Sequence, residues 1–344
     1  MVWPTYESSM KAFVALIVIA ALAAGGYFWL AKRHVASDTP TDIPGPSGGI
    51  PGPTPGQPGV PTIPGAQHAD PPGPTVPAAV KADYDKAEAL WKSTTGDVPT
   101  SAAAPQLARL YSTVLKGLYN QPGAKALEDQ LLQSRLTPLG TALFFTKARY
   151  DDPLFFNYAV ASGDVPDKLA KQYGMSYQQI NLLRGRDPEN SNLRLGETLK
   201  LIRMKDNGGS LLHADKSDFC VDAYVCGIFA RRYDISIGAP ESPTPIGVTK
   251  AVDLVFNPTW KNPKTGEVYQ PGDPRNILGG VWIALSPDGI NETGIGLHGY
   301  TGEDQTLRRQ ASNGCLRLGN EAIKELAHLI AHPNRSPTVV EIVE

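Results

Sequence analysis

The sequence predicts a multidomain chain. A mostly-β C-terminal domain of sandwich or barrel type, with one late helix, follows a βααβ unit and a small α-helical region. Three observations carry this. Leu107, Leu110, Tyr111, Val114, Leu115 and Leu118 recur at helical spacing. From residue 211 onward, short alternating runs are broken by Pro and Gly, as in domains built of many short strands. Between these regions, Tyr158-Ala159-Val160, Pro166–Tyr173, Tyr177–Leu183 and Leu193–Ile202 read as strand, helix, helix and strand.

In chain order, residues 1–11 are a short, weakly charged start. Residues 12–31, Ala12 to Ala31, are twenty residues without a charge, enough for a helix to cross a hydrocarbon core of about 30 Å. Tyr27, Phe28 and Trp29 would sit at one interface, which favours a retained anchor over a signal peptide cut near Ala21-Leu22-Ala23. Lys32 and Arg33 after the span argue for a cytoplasmic carboxyl side, yet large domains cross membranes despite so small a bias. Residues 32–80 form a linker. Thr39 to Pro77 holds 13 Pro and 8 Gly without a sustained triplet, so it is a polyproline-rich spacer and not collagen. Fully extended it reaches about 120 Å.

The helical region is placed at 81–152, where Tyr84, Ala87, Leu90 and Trp91 give a first stripe and Ala126 to Leu136 start a last helix. These stripes read as core, in a small bundle or a tetratricopeptide-like pair. The βααβ unit is placed at 153–205. Asn207-Gly208-Gly209 reads as a flexible joint to the domain at 211–344. There, Val221 to Ile237 should form a hairpin turning at Cys226-Gly227, Asn320 should cap a helix through Ala331, and Thr338–Val343 should be the last strand.

Net charge is −2, which leaves no electrostatic footprint for nucleic acid. The three cysteines make no disulfide framework. Cys220 and Cys226 lie six positions apart on one predicted strand, about 20 Å, whereas a bridge needs Cα atoms within about 7 Å. Their spacing is not that of a zinc site either, so both read as packing residues.

The stretch from Leu297 to Leu318 carries the chemistry. A thiol attacks as thiolate, and an imidazole can take its proton. Cys315 is the candidate nucleophile and His298 the candidate base and acid. The Gly299 carbonyl is placed to orient the ring, and the N–H groups of Gly314 and Cys315 are candidates to face an oxyanion. Ser312, Asn313, Tyr300 and Arg317 are candidate substrate-binding or loop-shaping residues. Arg317 either holds a carboxylate or braces the loop. The chemistry needs no metal or organic cofactor.

His298-Gly299 followed by Ser312-Asn313-Gly314-Cys315-Leu316-Arg317 resembles the signature of the L,D-transpeptidase (YkuD-like) catalytic domain. Pro243-Thr244-Pro245-Ile246-Gly247 and Asn276-Ile277-Leu278-Gly279 resemble its upstream marks. Asn313 departs from the family, which has His there. The resemblance implies a cysteine acyltransferase that opens the amide after the third residue of a peptidoglycan stem and joins two third residues. Water or a protein amine would be alternative acceptors. It also implies an extracytoplasmic site in a bacterial envelope, membrane-anchored or secreted, and sensitivity to carbapenems. Residues 153–205 resemble the LysM module, which implies binding to peptidoglycan glycan strands. A non-catalytic wall-binding protein is the remaining alternative.

Overall fold

The computed structural model describes residues 74–344, apart from 120, 264 and 302–306. The expected membrane span at Ala12–Ala31 and nearly all of the Pro- and Gly-rich linker lie outside the described residues. Among the described residues no helix is long and apolar enough to cross a membrane.

Helix α1 (Ala78–Ser93) starts three positions before the expected boundary at 81, directly after Pro77. Helix α2 (Ala104–Leu118) buries Leu107, Tyr111, Val114, Leu115 and Leu118, as its stripe predicts. Helix α3 (Lys125–Leu131) passes through a π-turn at Leu132–Leu136 into α4 (Thr137–Phe144). The helix thus runs on past Leu136, through Pro138. That proline falls in the first turn of α4, where its missing N–H costs no helical bond.

The next segment has the expected order: β1 (Phe155–Ala159), α5 (Pro166–Tyr173), α6 (Tyr177–Leu183) and β2 (Thr198–Ile202). The two strands pair antiparallel, Phe155 opposite Ile202 and Ala159 opposite Thr198. Ser176 caps α6 by accepting the Gln179 N–H at 2.9 Å. Strand β2 is shorter than the predicted run from Leu193, because Gly196 turns the chain at φ +78° just before it.

Strands β3 (Ser210–Asp215), β4 (Cys220–Val225) and β5 (Ile228–Asp234) form a meander, and the predicted hairpin is present. Cys220 is buried on β4. Cys226 is in the turn beyond the strand, at φ +51°, and both thiols are free. There follow β6 (Ile237–Gly238), the long β7 (Gly247–Phe256), a small hairpin of β8 (Trp260–Lys261) and β9 (Val268–Tyr269), then β10 (Val281–Leu285) and β11 (Gly296–His298). The chain ends with β12 (Gln310–Ser312), β13 (Leu316–Arg317), α7 (Asn320–Leu329) and β14 (Thr338–Val343).

Eight strands make one mixed sheet in the order β13-β11-β10-β7-β14-β3-β4-β5, where a two-sheet sandwich was one of the expected forms. The sheet curls until its ends meet. Just after β5, Ser236 exchanges two backbone bonds with Arg317 of β13, at 2.8 and 2.9 Å. This closure removes much of the exposed edge, as in a barrel.

The three expected domains share one buried core, and residues 74–344 lie in one compact unit. The helical region covers the β4–β5 end of the sheet. Ser112 Oγ accepts the Phe229 N–H at 2.8 Å, and a Cβ on Gly140 would stand 2.3 Å from the Ala230 carbonyl oxygen. Beside them Arg232 clamps the buried Asp222 through two bonds of 2.7 Å and also pairs with Glu128. The βααβ unit is fixed as well: Ser176 donates to the His328 carbonyl on α7, and Arg335 pairs with Asp167. The supposed flexible joint is a packed turn, because a Cβ on Gly209 would come 2.1 Å from the Pro337 carbonyl oxygen.

Helix α7 corrects a further expectation. Gly319 occupies the cap position, Asn320 is the first helical residue, and the helix ends at Leu329 instead of Ala331. The Asn320 carboxamide instead accepts the Tyr300 N–H.

Candidate active site

The Cys315 loop is built from the marks noted in the sequence. Thr244 Oγ1 donates to the Gly314 carbonyl at 2.8 Å and accepts the Gly238 N–H at 2.8 Å, tying the loop to β6. Ser312 Oγ donates to the Cys315 carbonyl at 2.6 Å and takes the Gly314 N–H at 3.2 Å. The Gly314 N–H, a candidate oxyanion donor, is thus engaged within the loop. Gly314 sits at φ +102°, in the region that favours glycine.

The second wall comes from Asn276–Gly279. Asn276 Nδ2 donates to the Pro258 carbonyl at 2.9 Å, and its Oδ1 accepts the Leu278 N–H at 3.1 Å. Gly279, at φ +64°, allows this turn to lie against Gly299 and Tyr300, where a Cβ would meet the Tyr300 nitrogen at 2.5 Å. Asn320 Oδ1 accepts that same Tyr300 N–H at 2.9 Å. The side chain expected to cap a helix therefore holds the backbone that follows His298.

Strands β11 and β13 run parallel, with Leu297 opposite Leu316 and His298 opposite Arg317. Side chains alternate along a strand, so His298 and Arg317 share a face. Cys315, directly before β13, lies beside Gly296, whose N–H bonds its sulfur. No side chain at Gly296 obstructs it, and the Trp282 indole lies over this glycine: a Cβ there would come 2.6 Å from the ring. Trp282 also tilts against His298, with ring centroids 5.8 Å apart.

His298 is buried, and its Nδ1 lies 2.5 Å from the Gly299 carbonyl oxygen. A carbonyl only accepts, so Nδ1 carries the proton and Nε2 keeps a lone pair. Burial lowers the imidazole pKa to about 4; the Gly299 carbonyl opposes this, Arg317 adds to it, and the Ile277 carbonyl opposes it weakly. The ring is thus a neutral base at ordinary pH. Cys315 keeps a part-exposed face on the cleft, yet its sulfur is crowded by protein. Burial therefore raises the thiol pKa, against the Gly296 N–H and the Arg317 charge. Its Sγ lies 3.5 Å from the Gly294 carbonyl oxygen.

Arg317 is itself buried. Its Nη1 donates to the Ala311 carbonyl at 2.9 Å, its guanidinium lies 4.6 Å from the Tyr300 ring centroid, and its Nε has no partner. Among the described residues no carboxylate pairs with it. These contacts brace the loop, one of the two roles the sequence left open.

The thiol opens on a cleft of about 470 Å³ lined by Trp260, Trp282, Val255, Leu278, Lys261 and Asn313, among others. Asn313 is exposed at its rim. His298 and Arg317 stand behind it, and Ser312 is buried in the loop, away from the lining. Trp260 stacks on Tyr269 across the β8–β9 hairpin, with centroids 5.4 Å apart. Sequence reasoning missed Trp260, Trp282 and Gly296. A Trp on an alternating strand and a Gly before a catalytic-type His were the available signals, but the contact between them depends on the β10–β11 pairing. Among the described residues no group of three or more His, Cys, Asp or Glu is arranged to hold a metal.

Residues 209–342 match the family of the L,D-transpeptidase catalytic domain (YkuD), so the expected resemblance of the C-terminal segment is borne out there. A 98-residue stretch is 28% identical to the Bacillus subtilis (strain 168) protein YqjB, whose name assigns it provisionally to the L,D-transpeptidases. It spans 28% of this chain and 53% of YqjB, about half of that relative's length. Among solved structures, a cysteine-to-serine mutant of Enterococcus faecium L,D-transpeptidase is similar at 21% identity, with a TM-score of 0.31 over 46% of this chain and 59% of that one. An L,D-transpeptidase of Mycobacterium tuberculosis H37Rv is similar at 16% identity, with a TM-score of 0.29 over 39% of this chain and 57% of the other.

Proposed function

We propose that the chain is a cysteine L,D-transpeptidase acting on peptidoglycan stem peptides. The observation that carries this reading is a part-exposed thiol at an apolar cleft with a neutral imidazole on the adjacent strand. His298 Nε2 takes the Cys315 proton as the sulfur attacks the carbonyl of the third stem residue. The oxygen becomes an oxyanion, and the Cys315 N–H is the backbone donor left to face it once the Gly314 N–H is engaged by Ser312. The C–N bond breaks, the protonated His298 returns its proton to the departing D-alanine amine, and a thioester remains. A side-chain amine of a second stem loses a proton to His298 and attacks the thioester. An amide forms between the two third residues, and the thiolate recovers the proton from His298.

Arg317 supports this cycle by its charge, which stabilises a thiolate beside it and disfavours a lasting imidazolium. Residues 153–205 would hold the glycan strand, and residues 12–31 would keep the protein at the membrane on the extracytoplasmic side.

The test is incubation of the purified protein with disaccharide-tetrapeptide, followed by mass spectrometry of the products. The reading expects loss of the terminal D-alanine together with dimers linked through the third residues. Free tripeptide alone would make water the acceptor. Untouched tetrapeptide would overturn the transferase reading.

A further inference from the structure

Lys200 is a buried cation that the acyl-transfer cycle leaves idle. Its side chain rises from β2 into the junction with the helical region, and the residue is only 3% exposed. Nζ donates to the carbonyls of Ala142 and Thr146, at 3.2 and 3.0 Å, at the C-terminal end of α4. It also lies 5.2 and 5.9 Å from the ring centroids of Tyr150 and Phe155. Carbonyls and ring faces supply only partial negative charge, and burial still lowers the amine pKa to about 7. Capping α4 explains two of the three ammonium donors. It does not explain the surroundings.

Lys200 lines a cavity of about 210 Å³ together with Lys147, Arg149, Arg184 and Glu197. Glu197 is the single acid there, and Arg184 takes it through bonds of 2.9 and 2.8 Å. That pair is neutral. Lys147, Arg149 and Lys200 remain, with no ion pair to a carboxylate among the described residues. Arg149 spends one N–H on the Thr198 carbonyl at 2.8 Å and keeps the rest of its fork. Lys147 and Arg149 are both exposed, so the cavity has a charged mouth open to solvent.

We propose that this cavity is a binding site for a phosphate group. Cations converge on it from the segment after α4 and from β2, so an occupant with acceptors in several directions fits best. A tetrahedral dianion meets that need, whereas a planar carboxylate satisfies one bidentate partner and leaves the others unmatched. The phosphate comes either as the free ion or as part of an anionic phosphodiester polymer. Both present anionic oxygens on tetrahedral phosphorus to Lys147, Arg149 and Lys200, four on the free ion and two unesterified ones on each diester. The site lies at the seam of the helical and βααβ segments, so an occupant would add a tie between them.

The test is equilibrium dialysis of the full chain against radiolabelled inorganic phosphate, with ionic strength held constant by chloride so that general screening cancels. Saturable binding below about 1 mM is expected. A Lys147→Ala/Arg149→Ala variant, altered only at exposed positions, should bind at least about tenfold more weakly, and Lys200→Met should bind none. A parallel arm with poly(glycerol phosphate) separates the sources: tighter binding per phosphate than the free ion identifies the polymer, and equal or weaker binding identifies free phosphate. No saturation by either probe, or full binding by the double variant, overturns the site.

Discussion

The two ends of the curled sheet handle buried charge in opposite ways. At the β4–β5 end a cluster of charges is paired: Arg232 is clamped to Asp222 and Glu128, Lys125 reaches Asp218 and Asp129, and the Tyr119 hydroxyl donates to Asp222. At the β11–β13 end, Arg317 is buried with no carboxylate partner among the described residues, and both the thiol and the imidazole beside it are displaced from their ordinary pKa values. A fully paired network holds a structure in one arrangement. A set of perturbed groups of this kind is poised to respond when a substrate brings charge into it. One end is built to stay as it is and the other to react.

Substitutions can break that contrast. The largest effect belongs to Cys315→Ala, which removes the proposed nucleophile and should abolish both D-alanine release and dimer formation by mass spectrometry, while the melting temperature stays close to wild type. His298→Asn should lower kcat/KM for acylation by about 10²–10⁴, the ordinary contribution of a positioned general base. At the other end, Asp222→Ala leaves Arg232 with Glu128 alone and takes the acceptor from Tyr119, and should cost about 3 kcal/mol of stability. Its signature is a lower urea midpoint with kcat/KM nearly unchanged in the fraction that remains folded. A loss of activity larger than the loss of folded protein would show that the two ends are coupled.

The pH dependence sharpens the same contrast. The folded-state pKa of His298 is depressed from the ordinary 6.5 to about 4. Its neutral form therefore contributes stability that is fully present above 6.5 and is lost as pH falls towards 4. In the proposed cycle acylation depends on the same neutral ring. A kcat/KM profile should be flat between about pH 6 and 8 and fall as pH approaches 4. A half-maximal point near 6.5 would place His298 in open solvent and contradict the burial argument.

The smallest effect concerns Thr244, which joins β6 to the Cys315 loop through one hydroxyl. Thr244→Val should cost about 1–3 kcal/mol by leaving buried partners unpaired. The measurement is a modest fall in the urea midpoint.

Local signals made much of this architecture legible. The β4–β5 hairpin, the helices at Pro166–Tyr173 and Tyr177–Leu183, and the last strand at Thr338–Val343 each rest on patterns within a few residues. The loop around Cys315 was legible because its Gly, Ser and Cys lie together in sequence. What the sequence hid depends on pairing at a distance. The Ser236–Arg317 closure joins residues far apart in the chain and leaves no periodicity to read. Asn320 looked like a helix cap because an Asn before an apolar stripe usually is one, but a tertiary contact with Tyr300 claimed its carboxamide. Gly208-Gly209 looked like a hinge because glycine suits both loose joints and close packing. Only the Pro337 carbonyl beside Gly209 decides between them.

The account stands or falls on the reactivity of one sulfur. Intact-mass measurement of the purified protein after incubation with a carbapenem tests it most directly. Wild type should gain the mass of one opened carbapenem, and Cys315→Ala should gain none. An unmodified wild type, or an equal adduct on the alanine variant, would contradict the assignment of Cys315 as the nucleophile.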